Sequence, residues 1–167
     1  MEIYFLRHAE AVQRGSPDYP EDSGRPLNPE GEKRMYRVAK GMRKLGLSFD
    51  LILSSPFVRA QRTAEIAAEI LKLKTRLEFT AHLEVNGSPE KLIAEINRNH
   101  QDAKSILLVG HEPYLSSLVS RLLTGDSNLA LNFKKAGLAK LATDTLQFDR
   151  CAVLDWFMTP RQLERVS

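Results

Sequence analysis

The segment ILLVGHEP, residues 106–113, contains the clearest core strand of the sequence and the residues that follow its carboxyl end. Ile106-Leu107-Leu108-Val109 is a continuous apolar run, which is typical of a strand that is buried on both faces. Pro113 then opens a predicted helix, which ends at Gly125 and turns one apolar stripe inward. A buried strand followed by an amphipathic helix is the repeating unit of a parallel α/β sheet.

The same unit occurs twice more in the first half of the chain. Ile3–Leu6 and Leu51–Leu53 are short apolar runs that predict buried strands, and each precedes a predicted helix. The first helix covers residues 28–46 and begins with an Asn-Pro pair. The second begins at Ser55-Pro56, also a cap-plus-proline start, and extends to about Leu71.

The remaining elements are less regular. Residues 76–79 predict a weak strand, Ser88-Pro89 opens a further helix, and residues 137–143 and 151–158 resemble two strands near the end of the chain. The alternation of strands and helices predicts an α/β fold with a mainly parallel sheet that is covered on both faces.

Composition limits the class of protein. The 167 residues include 24 Lys and Arg against 21 Asp and Glu, a net charge of +3 that is too small to indicate nucleic acid or a membrane surface as partner. We expect a single domain over residues 1–167. The chain has a single cysteine, Cys151, and no apolar run long enough to span a membrane. Its first residues include charged side chains, unlike a signal peptide. We therefore expect a cytoplasmic protein.

Polar residues follow three of the predicted strands directly. Arg7-His8 follows the first, Ser54-Ser55 and then Arg59 follow the second, and Gly110-His111 follows the strand at 106–109. Because parallel strands bring their carboxyl ends to one edge of the sheet, these side chains are expected to converge there.

The converging residue types suit phosphoryl chemistry. Two guanidinium groups hold the oxygens of a phosphoryl group in planar, bidentate fashion. A neutral imidazole attacks phosphorus and carries the group as a covalent intermediate. Backbone N–H groups at the predicted helix starts near Ser55-Pro56 and Glu112-Pro113 add affinity for an anion.

Four ordered motifs resemble the histidine phosphatase superfamily, the phosphoglycerate-mutase-like proteins. They are FLRHAEA at residues 5–11, RPLNPEG at 25–31, SSPFVRAQRTAE at 54–65 and VGHEP at 109–113. The resemblance implies a three-layer α/β/α sandwich, and a reaction that needs no metal or other cofactor.

The resemblance also implies roles for five residues. His8 is the nucleophile, Arg7 and Arg59 bind the phosphate, and His111 is a second pocket histidine that hydrogen-bonds the transferring group. Arg25, just before the PLNPEG stretch, is an additional anion ligand of the smallest family members. Arg62, three positions after Arg59, is expected on the helix surface instead, and so are the basic side chains at helical spacing in the first helix, Arg37, Lys40 and Lys44.

The general acid is the least defined part of the predicted site. Glu84 lies about where family members place their proton donor, and it is the candidate. Three acidic residues of an irregular, Pro- and Gly-rich loop over residues 12–27 are alternatives, namely Asp18, Glu21 and Asp22. A loop of this length inside a compact domain is often functional, so we expect it to lie over the site.

The short stretch between Arg59 and His111 leaves no room for the helical lid of larger members, so the chain resembles the SixA-type phosphohistidine phosphatases. An open site suits a phosphohistidine-bearing protein, such as a phosphorelay or phosphotransferase component in signal transduction. Two alternatives remain: a broad-specificity phosphatase for small phosphomonoesters, and a catalytically idle phosphoryl-binding signalling protein. A nucleic-acid-binding domain is disfavoured, because no recognition helix or aromatic-basic pattern occurs.

Overall fold

A computed structural model describes residues 1–166 of the chain. Six strands form one sheet: β1 Glu2–Arg7, β2 Leu51–Ser54, β3 Leu77–Phe79, β4 Ser105–Gly110, β5 Leu138–Thr143 and β6 Ala152–Met158. Five α-helices accompany it: α1 Pro29–Lys44, α2 Val58–Leu71, α3 Pro89–Asn99, α4 Tyr114–Thr124 and α5 Pro160–Val166. Short 3-10 helices occupy Asp22–Gly24, Lys74–Arg76 and Ala81–Leu83.

The strand order is β3-β2-β4-β1-β5-β6. The first four strands of this order are mutually parallel, whereas β5 and β6 are antiparallel to their neighbours. The predicted, mainly parallel sheet is therefore confirmed, with an antiparallel extension at one side. The carboxyl ends of β1, β2 and β4 lie at one edge, and β5 begins at that same edge because Leu138 pairs with Leu6.

Helices cover both faces of the sheet, as expected for a three-layer α/β/α arrangement. One core joins Tyr4 and Leu6 of β1 to buried side chains of α1, α2 and α5. The other joins Ile3 and Phe5 of the same strand to α3 and α4. Alternate residues of β1 thus face opposite layers, which is why its apolar run is continuous.

Local sequence signals explain most helix ends. Asn28 and Ser88 cap α1 and α3, since their side chains accept hydrogen bonds from the N–H groups of Gly31 and Lys91. Gly125 ends α4 with a φ of 88°, in the left-handed region that glycine adopts without strain.

The start of α2 differs from the prediction. The helix begins at Val58, and Ser55 does not cap it. The Ser55 hydroxyl instead accepts a hydrogen bond from the N–H of Phe57, two residues later, in a turn that precedes the helix. This leaves the hydroxyl directed toward the end of β4.

Two features of the carboxyl-terminal segment were not predicted. The helix α5 packs against α1 through the buried Leu163, and strand β6 is an edge strand with a largely exposed Val153. Between α2 and β4 the chain forms only the short strand β3, two 3-10 helices and α3. This stretch is too short to hold an additional helical lid, as expected from the sequence. Within residues 1–166, none of the helices combines the length and the apolar composition that crossing a membrane requires.

Candidate functional site

Two histidines meet at the carboxyl edge of the parallel strands. His8 directly follows β1 and His111 directly follows β4, and these strands are adjacent in the sheet. Their ring centroids are 5.2 Å apart, and their exposed fractions are only 7% and 1%. The convergence predicted from the strand ends is therefore present in the structure.

The ring of His8 is held in one orientation and one tautomer. Its Nδ1 lies 2.7 Å from the carbonyl oxygen of Ala9, which only accepts hydrogen bonds, so Nδ1 carries the proton. The opposite nitrogen, Nε2, is then unprotonated and can accept a hydrogen bond through its lone pair. Consistent with this, the Nε–H of Arg59 donates to Nε2 at 3.3 Å.

Arg59 and Arg62 belong to the same helix but occupy opposite environments. The side chain of Arg59 is 2% exposed and points from the first turn of α2 toward His8. Arg62 lies at the protein surface, where its guanidinium pairs with Glu32 and stacks on the ring of Tyr36. The structure therefore places Arg59, and not Arg62, beside the strand ends.

His111 is linked to the turn after β2. Its Nε2 lies 2.8 Å from the hydroxyl of Ser55, and the ring of Phe57 packs against it with the centroids 5.1 Å apart. Nδ1 is buried and has no hydrogen-bond partner among the described residues. A buried nitrogen of this kind costs free energy unless a ligand or water satisfies it.

Both imidazoles are neutral near pH 7. Burial, assisted by the charge of Arg59, lowers the pKa of His111 to about 3. Burial also lowers the pKa of His8 well below its usual range; its hydrogen bond to Ala9 opposes that shift, and the nearby His111, Arg59 and Arg7 reinforce it. A neutral His8 retains the lone pair that a nucleophile requires.

The loop over residues 12–27 contacts the site through Asp22. The backbone carbonyl of Asp22 accepts a hydrogen bond from Arg59 at 2.7 Å, and its carboxylate lies 3.0 Å from the same guanidinium. Arg25 reaches the other carboxylate oxygen at 2.8 Å. Partial burial alone would raise the pKa of Asp22, but the hydrogen bonds from Arg25 and Arg59 outweigh it and lower that pKa.

Arg25 therefore lies near the predicted site, held by the loop itself. Its side chain is 11% exposed, and it also donates a hydrogen bond to the carbonyl of Val12 at 2.6 Å. Arg25 and Arg59 each bind one oxygen of the Asp22 carboxylate. A carboxylate bound in this way occupies guanidinium N–H groups of the kind that bind phosphate oxygens.

Arg7 ends β1 and lies beside His8. One of its terminal nitrogens donates to the carbonyl of Phe133 at 2.7 Å, while Nε is buried without a partner among the described residues. The predicted set Arg7, His8, Arg59 and His111 is thus brought together, with Arg25 adjacent through Asp22.

The acidic candidates are placed less closely. Glu84 is half-buried after the 3-10 helix Ala81–Leu83, which lies beside the end of β4. Its carboxylate forms no hydrogen bond or ion pair with another side chain of residues 1–166, and its role stays a prediction. Asp18 and Glu21 are exposed, so Asp22 is the one alternative that contacts the site arginines.

Phe57 and Thr63 help to build the site without having been predicted, and Ser55, which was expected at the strand ends, contacts His111 directly. Thr63 is buried, accepts a hydrogen bond from the N–H of Ala9 at 3.1 Å and donates to the carbonyl of Arg59 at 2.7 Å. It ties the end of β1 to the first turn of α2. The three residues lie in or beside the motif SSPFVRAQRTAE, but only the three-dimensional arrangement gives each a reason.

Taken together, the pocket offers a neutral nucleophilic nitrogen, several fixed guanidinium groups and unsatisfied N–H or nitrogen positions. Such a set matches a tetrahedral oxyanion and the transfer of a phosphoryl group to nitrogen. Residues 1–166 contain no group of three or more His, Cys, Asp or Glu side chains that could hold a metal ion.

The class of protein follows from this geometry together with comparisons with known proteins. Residues 3–85 match the model of the histidine phosphatase superfamily, branch 1. The chain belongs to the histidine phosphatase superfamily, whose members include phosphatases, and this confirms the family that the four motifs indicate.

The relatives narrow the similarity to SixA-type proteins. An uncharacterised protein of Picosynechococcus is 41% identical over 84% of each chain. The phosphohistidine phosphatase SixA of Escherichia coli is 25% identical over 98% of this chain and 97% of its own. The structure of the protein histidine phosphatase SixA complexed with tungstate superposes with a TM-score of 0.81, at 25% identity, and covers 98% of this chain and 99% of its own.

Proposed function

We propose that this chain is a cytoplasmic protein phosphohistidine phosphatase, formed by a single domain over residues 1–167, that works through a phospho-His8 intermediate. The observation that carries the proposal is the fixed tautomer of His8. Its proton is held on Nδ1 by the Ala9 carbonyl, so a neutral Nε2 faces the pocket between Arg59 and His111.

In the first step, Nε2 gives up its hydrogen bond from Arg59, and its lone pair forms a bond to phosphorus while the P–N bond to the substrate histidine breaks. The departing ring keeps the electron pair of that bond. It leaves as neutral imidazole when its other nitrogen is already protonated. An imidazole is a good leaving group in this form, so the demand on an enzymatic acid is smaller than for an alkyl ester.

In the second step, water attacks phosphorus and the Nε2–P bond breaks, which releases orthophosphate and returns the electron pair to His8. The Nδ1 proton stays on the ring throughout, held by Ala9. Glu84 and, less directly, Asp22 are the candidate groups for proton transfer with water. The low pKa of Asp22 favours its carboxylate form, which accepts a proton rather than donating one.

The proposed role of Arg7, Arg25, Arg59 and His111 is to stabilise the phosphoryl oxygens during both steps. Charge on these oxygens is spread in the transition state, and fixed donors in a site of low solvent access stabilise it without reorganisation. The unpartnered Nδ1 of His111 and Nε of Arg7 are positions at which such oxygens gain hydrogen bonds.

The substrate class rests on the same site seen from outside. The α-helix between α2 and β4, α3, packs into the core through Leu92, Ile93 and Ile96, so this stretch adds no helical lid over His8. A phosphorylated side chain on a folded partner needs such an open approach, whereas a small ester gains from enclosure. The similar protein of Escherichia coli, a phosphohistidine phosphatase, supports the same choice.

A substrate panel tests the proposal. We expect kcat/KM on a phosphohistidine protein to exceed that on 3-phosphoglycerate and para-nitrophenyl phosphate by orders of magnitude. Comparable values on all three would favour a broad-specificity phosphatase. Binding of the phosphoprotein without turnover would favour an idle phosphoryl-binding protein.

Trapping the intermediate tests the mechanism separately. Rapid quench with labelled substrate should give a phosphoenzyme that is labile to acid and stable to base, and His8→Ala should abolish it. His100→Ala is the matched control, because His100 lies at the opposite edge of the sheet beside Glu78. Equal labelling of His8→Ala and the wild type would contradict the proposed nucleophile.

A further inference from the structure

A groove lies beside the proposed catalytic residues and has Arg7 in its lining. This groove has a volume of about 760 Å³ and lies between the turn that precedes β5 and the start of α5. Both segments belong to the carboxyl edge of the sheet, because the end of β6 pairs with the start of β5. Nothing in the proposed phosphoryl transfer uses the groove beyond Arg7.

The lining of the groove is strongly basic. It contains five basic side chains and two acidic ones. Both acids, Glu10 and Glu164, already pair with Arg34 across the floor of the groove. Lys134, Lys135 and Arg161 have no ion-pair partner within residues 1–166, and all three are exposed.

The two lysines are held at a fixed distance from the catalytic pocket. The N–H of Ala136 donates to the carbonyls of Arg7 and His8 at 3.0 and 3.2 Å, and the N–H of Gly137 returns to the carbonyl of Lys134 at 2.8 Å. The Arg7 guanidinium binds the carbonyl of Phe133 from the other side. The turn that presents the lysines is therefore built onto the end of β1.

We propose that this groove binds an acidic segment of the substrate protein, next to its phosphohistidine. The inference rests on the proposed function and extends it to the choice of substrate. A phosphoryl group at His8 places the flanking residues of its chain at Arg7, where the groove begins. Asp or Glu side chains in that segment would meet Lys134, Lys135 and Arg161.

The expected contribution is selective rather than large. Each exposed ammonium–carboxylate contact is weak and is screened by salt, so several must act together. Complementary charge of this kind raises association rates and suppresses unsuitable partners. We expect about a tenfold preference for acidic flanks at low ionic strength, which decreases as salt is added.

Two peptides and one small compound make the test. The peptides share a histidine phosphorylated with phosphoramidate and differ only in having Glu or Gln at the flanking positions, while phosphoimidazole has no flanks. The wild type should hydrolyse the Glu peptide with about tenfold higher kcat/KM than the Gln peptide. The Lys134→Glu/Lys135→Glu variant should lose this preference and keep its activity on phosphoimidazole.

The control changes the same charge elsewhere. Lys40 and Lys44 are exposed on α1, near its end away from the site, and Lys40→Glu/Lys44→Glu should keep the wild-type preference. An absent preference in the wild type, or an undiminished one in Lys134→Glu/Lys135→Glu, would overturn the docking proposal alone. Failure to hydrolyse either peptide or phosphoimidazole would instead overturn the proposed function.

Discussion

At the amino edge of the parallel strands, the carboxylate of Asp50 accepts hydrogen bonds from the N–H groups of Lys104 and Ser105 at 2.9 and 3.1 Å. The same carboxylate lies 3.7 Å from Arg76, which also donates to a backbone carbonyl. At the carboxyl edge, by contrast, His111 and Arg7 each bury a nitrogen that has no partner among the described residues.

The two edges differ in whether their polar groups find partners within the fold. The Asp50 carboxylate accepts hydrogen bonds from two backbone N–H groups at the start of β4. These contacts pair both the carboxylate and the backbone groups. The carboxyl edge gathers arginines and neutral histidines, and two of these residues, Arg7 and His111, each keep one buried nitrogen without a partner among the described residues. A concave region of about 390 Å³ also exists at the amino edge, so concavity alone does not distinguish the two.

The strongest way to break this comparison is to alter Arg59. Arg59→Lys keeps a positive charge but loses the planar fork that binds two oxygens, so we expect kcat/KM to fall about 100-fold. Arg62→Lys, on the same helix at the surface, should change it less than about twofold. Steady-state kinetics measure both, and similar losses in the two variants would remove Arg59 from the site.

The pH dependence of stability sharpens the comparison. The pKa of His111 is about 3 in the folded chain and near 6.5 when unfolded, so only the unfolded chain takes up a proton between these values. Folding stability should therefore fall as the pH falls below 6.5, by up to about 1.4 kcal/mol per pH unit from this residue. Above pH 7 the residue contributes no slope.

Urea unfolding at pH 7.5, 6 and 5 measures this slope. His111→Asn should unfold with a shallower dependence on pH than the wild type. Parallel curves for His111→Asn and the wild type would mean that burial does not hold His111 neutral.

The smallest expected effect concerns Asp50. Asp50→Ala removes the acceptor for two backbone N–H groups and should lower the free energy of unfolding by about 1 kcal/mol, with kcat/KM unchanged. Asp102→Ala, at a nearby exposed position, is the control for the charge alone. A parallel loss of activity in Asp50→Ala would show that the two edges are coupled.

Much of the candidate site could be predicted because residues that directly follow parallel, neighbouring strands lie close together in space. Arg7-His8, Arg59 and His111 follow strands that become neighbours, and parallel pairing then places them at one edge. The core strands were predictable for a related reason, since burial on both faces requires continuous apolar runs. The four parallel strands therefore agree with the strands predicted from the sequence.

The rest depends on interactions that have no sequence period. Ser55 before Pro56 has the pattern of a helix cap, yet its hydroxyl is bound by Phe57 and His111 instead. The helix α5 has only about two turns, with Leu163 buried. A segment this short does not show the apolar periodicity from which a helix is predicted. Most residues of β6 are apolar, but its position at the edge of the sheet leaves Val153 largely exposed.

The carboxylate of Asp22, held between Arg25 and Arg59, has a further consequence for the occupancy of the pocket. Any oxyanion that uses the same guanidinium N–H groups must displace a competitor that is attached to the same chain and never diffuses away. Such competition weakens the binding of reactant and product alike, because both offer similar oxygens. Asp22 thus partly neutralises Arg25 and Arg59 in the free protein, which should release inorganic phosphate more readily than it would without this carboxylate.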